Sequence, residues 1–343
     1  MRRPRIAIVN SSSFGRIFPD HLRRLARVGE TRRFTVPSGL KDAALAGRLK
    51  GFHAVIASVN PVYDDAYFRQ SPDLLLITRH GIGYNNVDTV AATRAGVLVS
   101  RVPGVVEREA MAEHTVGLIL AVARRLRLAD RAVRLGRWET RPRFVGFELK
   151  GRTVGLVGFG NIGSRVAGIL TRGFGARVIA CDPGVPERRI RKLGARKVSL
   201  TVLLRESDVI SLHASLDDKS RGMIGEKELR RMRPGAVIVN TARGELTDEA
   251  ALGRALKGGR LAGLGLDVVT REPAGSGHPF LRHGNVLMVP HIGAYTVESL
   301  EGMGEKVVDD VERVLGSGKP PRELVNPAVL ASRVLRMRFR RWD

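Results

Sequence analysis

The chain of 343 residues has a single cysteine, Cys181. That excludes an intrachain disulfide and a cysteine-built metal cluster, and no metal site is expected. Aromatic residues are scarce at 5%, too few for a surface that stacks bases. No uncharged apolar run approaches the ~18 residues that cross a bilayer. The opening MRRPRIAIVN is too short in its apolar part for a secretory leader, so no membrane partner and a cytoplasmic location are expected. Acidic residues are in deficit, 34 against 58 basic ones, for a net charge of +24. Such an excess can serve phosphate binding. Here the 48 arginines are spread along the chain, except for RVLRMRFRRWD at 333–343. A biased composition with a solvated basic tail is the expectation, not a nucleic-acid partner.

What is abundant is glycine, 39 residues, with 16 prolines and 43% hydrophobic residues. This suits a soluble α/β protein with many short turns, long enough for two domains. Strand-like runs at 5–10, 33–36, 53–59, 74–78 and 96–100 alternate with helical stretches, which reads as βα units on a parallel sheet. A helix is expected over 107–135, linking the domains and offering a subunit contact. Further strands are expected at 208–212, 236–240, 263–269 and 285–290, then a helix from Thr296, a plausible cap, to about 315.

Residues 155–163, GLVGFGNIG, hold a Gly-x-Gly-x-x-Gly cluster. With this much glycine, chance alone supplies on the order of 0.5 such clusters per chain, so context has to decide. The cluster follows the apolar run 154–157 and opens a stretch with Ile162, Val166, Ile169 and Leu170 at helical spacing. A second apolar run, 178–180, ends in Asp182. That order is a dinucleotide-binding strand–turn–helix–strand. Gly158 serves the tight turn, Gly160 the approach of a pyrophosphate, and Gly163 the close packing of helix on strand. Asp182 is placed to accept from the adenosine ribose hydroxyls, which favours NAD over NADP.

In open parallel sheets ligands bind beyond the carboxyl ends of strands. Arg243 follows the strand 236–240, Glu272 follows the run ending at Val269, and His291 follows 285–290. A guanidinium grips a carboxylate through a planar fork. An imidazole moves a proton, and a carboxylate orients it. Beside a hydride carrier, the three make a 2-keto/2-hydroxy acid redox site. Among the other histidines, His114 is expected to be packed within the linking helix, and His80 lies in the loop RHGIGYNN.

The stretches GFGNIG, NTARGELTDEAAL, GLDVVTREP and PHIGAYT resemble those of the D-2-hydroxyacid dehydrogenase family, in order and separation. So do GIGYNNVDTVAATRAGV (81–97) and MAEHTVGLIL (111–120). The resemblance spans about residues 5–328. It implies a Rossmann NAD-binding domain (105–296) inserted into a flavodoxin-like substrate-binding domain (1–104 and 297–330), with an active site in the cleft between them and 331–343 as a basic tail. It implies that Arg243 binds substrate, that Glu272 orients and that His291 is the acid/base. It places cofactor contacts at Gly158, Gly160, Asn161, Ile162, Gly163, Asp182, Ala214, Thr241, Ala242, Asp267 and Gly293, with Asp267 holding the nicotinamide amide. The loop at Arg79, His80, Gly81 and Gly83 would meet the substrate carboxylate.

The expected partners are a small 2-keto or 2-hydroxy acid and a second copy of the chain, as a homodimer through the NAD-binding domain. Glyoxylate, hydroxypyruvate and D-lactate stay open as substrates. Phosphoglycerate is not favoured, because ASVN at 57–60 lacks the basic residue often found in that loop. A second reading follows from the resemblance of corepressor proteins to this family: an NAD-binding protein whose main role is partner or nucleic-acid binding.

Overall fold

The computed structural model describes residues 3–340. Among these, the residues up to Glu107 and from Thr296 onward form one compact unit, and Arg108–Tyr295 form a second.

The first unit is built on β1 (Arg5–Val9), β2 (Glu30–Phe34), β3 (Ala54–Ala57), β4 (Leu76–Arg79) and β5 (Leu98–Ser100), all parallel, in the order β2-β1-β3-β4-β5. This is the flavodoxin-like order. Strands β3 and β4 are wholly buried, as helices on both sides require, and apolar except for Thr78 and Arg79 at the end of β4. β2 starts earlier than its apolar content suggested. As an edge strand it is satisfied with the polar sequence ETRRF.

One face of this sheet is covered by the returning chain. In helix Val297–Val311, Val307, Val308 and Val311 join Ile6, Ile8, Leu25 and Ile56 in one core cluster. Two polar ties fix the return. Asp310, 1% exposed, accepts from Thr78 Oγ1 (2.9 Å), Ser100 Oγ (2.5 Å) and Lys306 Nζ. Arg24, on helix Pro19–Val28, forks onto Glu305, Asp309 (2.7 Å) and Glu312 (2.6 Å). Further on, Asn326 accepts from Val99 N at 2.9 Å and donates to Val97 O at 2.9 Å.

The basic segment is not the solvated appendage its sequence suggested. Residues Arg333–Arg340 form a helix that lays Leu335, 5% exposed, and Phe339 against the same core. Arg338 Nη1 donates to the carbonyls of Ser71 (3.0 Å) and Leu74. Apolar residues at 335 and 339, one helical turn apart, give the basic segment a buried side. Residues 341–343 of that tail lie outside the described residues.

The second unit carries β6 (Thr153–Val157), β7 (Arg177–Cys181), β8 (Ala195–Lys197), β9 (Val209–Leu212), β10 (Ala236–Asn240), β11 (Leu261–Leu266) and β12 (Val286–Met288). They are parallel in the order β12-β11-β10-β9-β6-β7-β8. Counted from β6, this is the doubly wound Rossmann order with one strand added, and it reverses direction between β6 and β9. The helix expected over 107–135 is two helices, Arg108–Ala123 and Leu126–Arg134, broken where Arg125 takes a left-handed φ of 53°.

Candidate active site

The glycine loop lies at the end of β6, beside the point where the strand order reverses. Gly158 has φ 95°, and a Cβ there would lie 2.6 Å from the carbonyl carbon of His213. A Cβ on Gly163 would meet the Gly158 carbonyl oxygen at 2.3 Å. Neither position tolerates a side chain, so helix Asn161–Phe174 starts hard against the strand. Gly160 is different: nothing lies within 4 Å of its missing Cβ, and no side chain caps the helix there. Open space in front of uncapped amides at the start of a 14-residue helix fits a pyrophosphate.

Asp182, just past β7, closes this loop from the side. Its Oδ2 accepts from Phe159 N at 2.7 Å and its Oδ1 from Gly184 N at 2.9 Å. Asn161 and Ile162 head the helix, and Ala214 N lies beside Gly158. His213, between β9 and Ala214, shares a hydrogen bond with Ser211 Oγ at 2.9 Å, and burial pushes its pKa down to about 4.

Beyond β10 the Asn240 side chain shapes the next turn. Its Oδ1 accepts from Ala242 N (3.0 Å) and its Nδ2 donates to Arg243 O (2.8 Å). Arg243 is half-buried, with Nη1 donating to Ala242 O at 2.6 Å. Gly244 is pressed so closely on the backbone of Val269 that a Cβ would sit 2.0 Å from its carbonyl carbon. This contact sets the Arg243 turn against the segment bearing Glu272.

Glu272 then joins the third loop. Its Oε2 lies 2.7 Å from His291 Nδ1, while its Oε1 accepts from Val269 N at 3.3 Å. His291 takes a left-handed φ of 54°, a conformation L-residues hold only when their surroundings impose it. Asp267, 1% exposed, imposes it. Its carbonyl accepts from His291 N at 2.9 Å, and its carboxylate accepts from Ile292 N (2.8 Å) and Gly293 N (3.1 Å). Burial raises the Asp267 carboxyl. The His114 ring and the Ile292 amide outweigh it, so the group ends below its ordinary value. Thr241, 4% exposed, shares a hydrogen bond with Thr115 Oγ1 at 2.9 Å.

The structure thus gathers Arg243, Glu272 and His291 onto contiguous turns of one unit. The loop 79–83, in the other unit, differs from expectation in its side chains. Arg79 is 2% exposed, with Nε and Nη1 donating to the carbonyls of Gly83 (2.7 Å) and Ala57 (2.6 Å). His80 stands edge-on to Phe14, with a buried Nε2 that has no hydrogen-bond partner among the described residues, and burial pushes its pKa down to about 3. Both side chains build the loop from within. Gly81, at φ 152°, leaves room for the Arg79 and Glu107 side chains, which converge on it. Sequence reasoning placed His114 only as a packed residue of its helix, without a link to Asp267, and did not single out Thr115. Their signal was that polar His114 and Thr115 lie on the buried side of the helix in MAEHTVGLIL, while Glu113 is exposed.

Residues 116–293 match the model of the NAD binding domain of D-isomer specific 2-hydroxyacid dehydrogenases. A glyoxylate reductase of Thermococcus litoralis is 38% identical over 302 residues, 86% of this chain and 90% of its own. The chain belongs to the D-isomer specific 2-hydroxyacid dehydrogenase family. A D-3-phosphoglycerate dehydrogenase of Archaeoglobus fulgidus is 35% identical over 85% of this dehydrogenase, which spans 54% of that relative. The D-lactate dehydrogenase of Aquifex aeolicus, solved with NAD and lactic acid, superposes with a TM-score of 0.81. It is 28% identical and covers 94% of this chain and 99% of its own. NAD is the cofactor of this dehydrogenase. Among its described residues no cluster of three metal-ligating side chains occurs, and no helix is long and apolar enough to cross a membrane.

Proposed function

We propose that this dehydrogenase reduces a small 2-keto acid, glyoxylate first among candidates, to its D-2-hydroxy acid with NADH. The His291–Glu272 contact of 2.7 Å, on the unit that carries the glycine loop, is the observation that supports it most. NADH, when bound, supplies the hydride. Arg243 grips the substrate carboxylate and polarises the neighbouring carbonyl. A carboxylate can only accept, so Glu272 keeps the imidazole proton on Nδ1 and leaves Nε2 to give a proton to the developing alkoxide. In oxidation Nε2 takes that proton back. Glu272 also balances the imidazolium charge while it exists.

The finer assignments follow the same reading. Asn161, Ile162, Ala214, Thr241 and Ala242 contact the dinucleotide, and Asp267 and Gly293 border its nicotinamide end. Asp182 favours NADH over NADPH by repelling a 2′-phosphate. The first unit binds substrate through the main chain of loop 79–83. The second unit supplies a homodimer contact, for which Leu126, Val133, Leu135, Trp138 and Val145 are all at least half exposed and clustered in sequence. The enzyme works in the cytoplasm. A corepressor-like role is not favoured, since the relatives described above are named as reductases and dehydrogenases. NADH oxidation against a panel of 2-keto acids tests the proposal, with chiral analysis of the product. No turnover of any 2-keto acid, or an L product, would overturn it.

A further inference from the structure

Helix Arg108–Ala123 touches both catalytic turns of the second unit along one face. Met111, His114 and Thr115, at i, i+3 and i+4, point the same way. Thr115 holds Thr241, two residues before Arg243. A Cβ on Gly293 would sit 2.7 Å from Met111 Sδ and 2.8 Å from Asp267 Oδ2, so this glycine is wedged between helix and carboxylate. His114 Nε2 lies 3.3 Å from Asp267 Oδ1, a close polar contact that falls short of hydrogen-bond geometry, and the atom makes no other hydrogen bond among the described residues. Its side chain is 20% exposed and that of Asp267 is fully buried.

The helix is held rigidly enough to act as a support. It lies on β11 where Gly263 and Gly265 have no side chains. Cβ atoms there would meet Val122 Cγ1 at 2.6 Å and Leu118 Cβ at 3.3 Å. Asp267 follows β11 directly, so helix, carboxylate and His291 turn form one packed stack. The Asp267 carboxylate already accepts two amides of the turn, and His114, from the helix, approaches the same Oδ1 that the Ile292 amide reaches.

We propose that His114 is a positioning residue for the reaction, fixing the Asp267 carboxylate and through it the left-handed turn that aims the His291 ring. The inference rests on the reading of His291 as the acid/base. Its mechanical part, the grip of His114 on the 291–293 turn, can be measured without turnover. Removing the grip leaves the Arg243 turn and the glycine loop, which hold the substrate carboxylate and the pyrophosphate, untouched, so kcat should respond far more than binding.

The experiment compares His114→Ala, His114→Leu and His114→Gln. Leucine keeps bulk without a donor; glutamine keeps an N–H donor at similar reach. Displacing a reacting group by a fraction of an ångström costs about 5- to 50-fold in kcat, so His114→Ala and His114→Leu should fall by that factor. KM for the keto acid and Kd for NADH should stay within about twofold, and His114→Gln should recover most of the loss. Hydrogen exchange of the Ile292 and Gly293 amides should quicken in the leucine variant and not in the glutamine one. In a His291→Ala background, His114→Leu should lower the residual rate no further. Wild-type kcat in His114→Leu, or unchanged exchange of both amides, would overturn the proposal. Full turnover in His291→Ala alone would instead sink the acid/base reading, and the exchange result would still decide whether His114 holds the turn.

Discussion

Replacing Glu272 by alanine removes the partner of His291 Nδ1 and little else. The side chain is about one quarter exposed, and its second contact, to Val269 N at 3.3 Å, is long enough for water to replace. A charge-assisted hydrogen bond of this kind contributes about 1.5–3 kcal/mol. If it is made fully only while the imidazole is charged in the transition state, kcat should fall about 10- to 150-fold. Glu272→Gln keeps an acceptor near Nδ1 but loses the charge, and should fall between wild type and alanine. Stability should change by about 1 kcal/mol, since the amide of Val269, 7% exposed, loses only a long acceptor contact. The assay is the loss of NADH absorbance with a saturating keto acid, alongside NADH binding by fluorescence, which should be unaltered. An unchanged kcat in Glu272→Ala would refute the pairing as a catalytic device and leave Glu272 a structural residue of its turn.

Arg243→Lys keeps the charge but loses the planar fork, so kcat/KM should fall about 10- to 100-fold; a KM within twofold of wild type at unchanged kcat would deny Arg243 the substrate carboxylate. The ratio of kcat/KM for NADH and NADPH should favour NADH, and a clear NADPH preference would remove Asp182 from its ribose role. Acid should destabilise the fold through His80 and His213. Both are held neutral by burial, at about 3 and about 4 against an ordinary 6.5. The unfolded chain therefore binds more protons below pH 6.5, and each histidine withdraws up to about 1.4 kcal/mol per pH unit until its folded pKa is reached. Chemical denaturation at a series of pH values should show this slope, and a His80→Gln variant should lose its share; a flat profile from pH 6.5 to 4 would contradict both burials. Leu335→Ala should cost about 2–3 kcal/mol as a buried large-to-small change, and a melting temperature equal to wild type would mean that the C-terminal helix does not belong to the core.

Most of the two sheets was legible because central parallel strands are buried on both faces and read as short apolar runs between turns. The edges were not. β2 lay earlier than the apolar residues at 33–36 implied, and β8, with the sequence ARK, carries no apolar pattern at all. The break at Arg125 has neither glycine nor proline to announce it. The gathering of Arg243, Glu272 and His291 on neighbouring turns was legible because each follows a strand end of one parallel sheet. The inward turn of Arg79 and His80 could not, since a basic residue in a loop looks the same whether it serves a ligand or the loop's own carbonyls. Nor could His114 be matched to Asp267, which lies far along the chain and meets it only when helix and sheet are packed.

The first unit takes its sheet from the start of the chain and part of its core from the end. Val307, Val308, Val311, Val314, Leu315, Val329 and Leu335 all pack on strands made long before them. During synthesis the strands up to Ser100 therefore emerge with one apolar face uncovered, and wait while Arg108–Tyr295 is translated. At ~5–20 residues per second that wait is about 10–40 s. The second unit, continuous in sequence, can close its core in that interval. The cofactor-binding half is thus ready first, and the exposed sheet of the other half is the stage at which this chain most needs protection from aggregation.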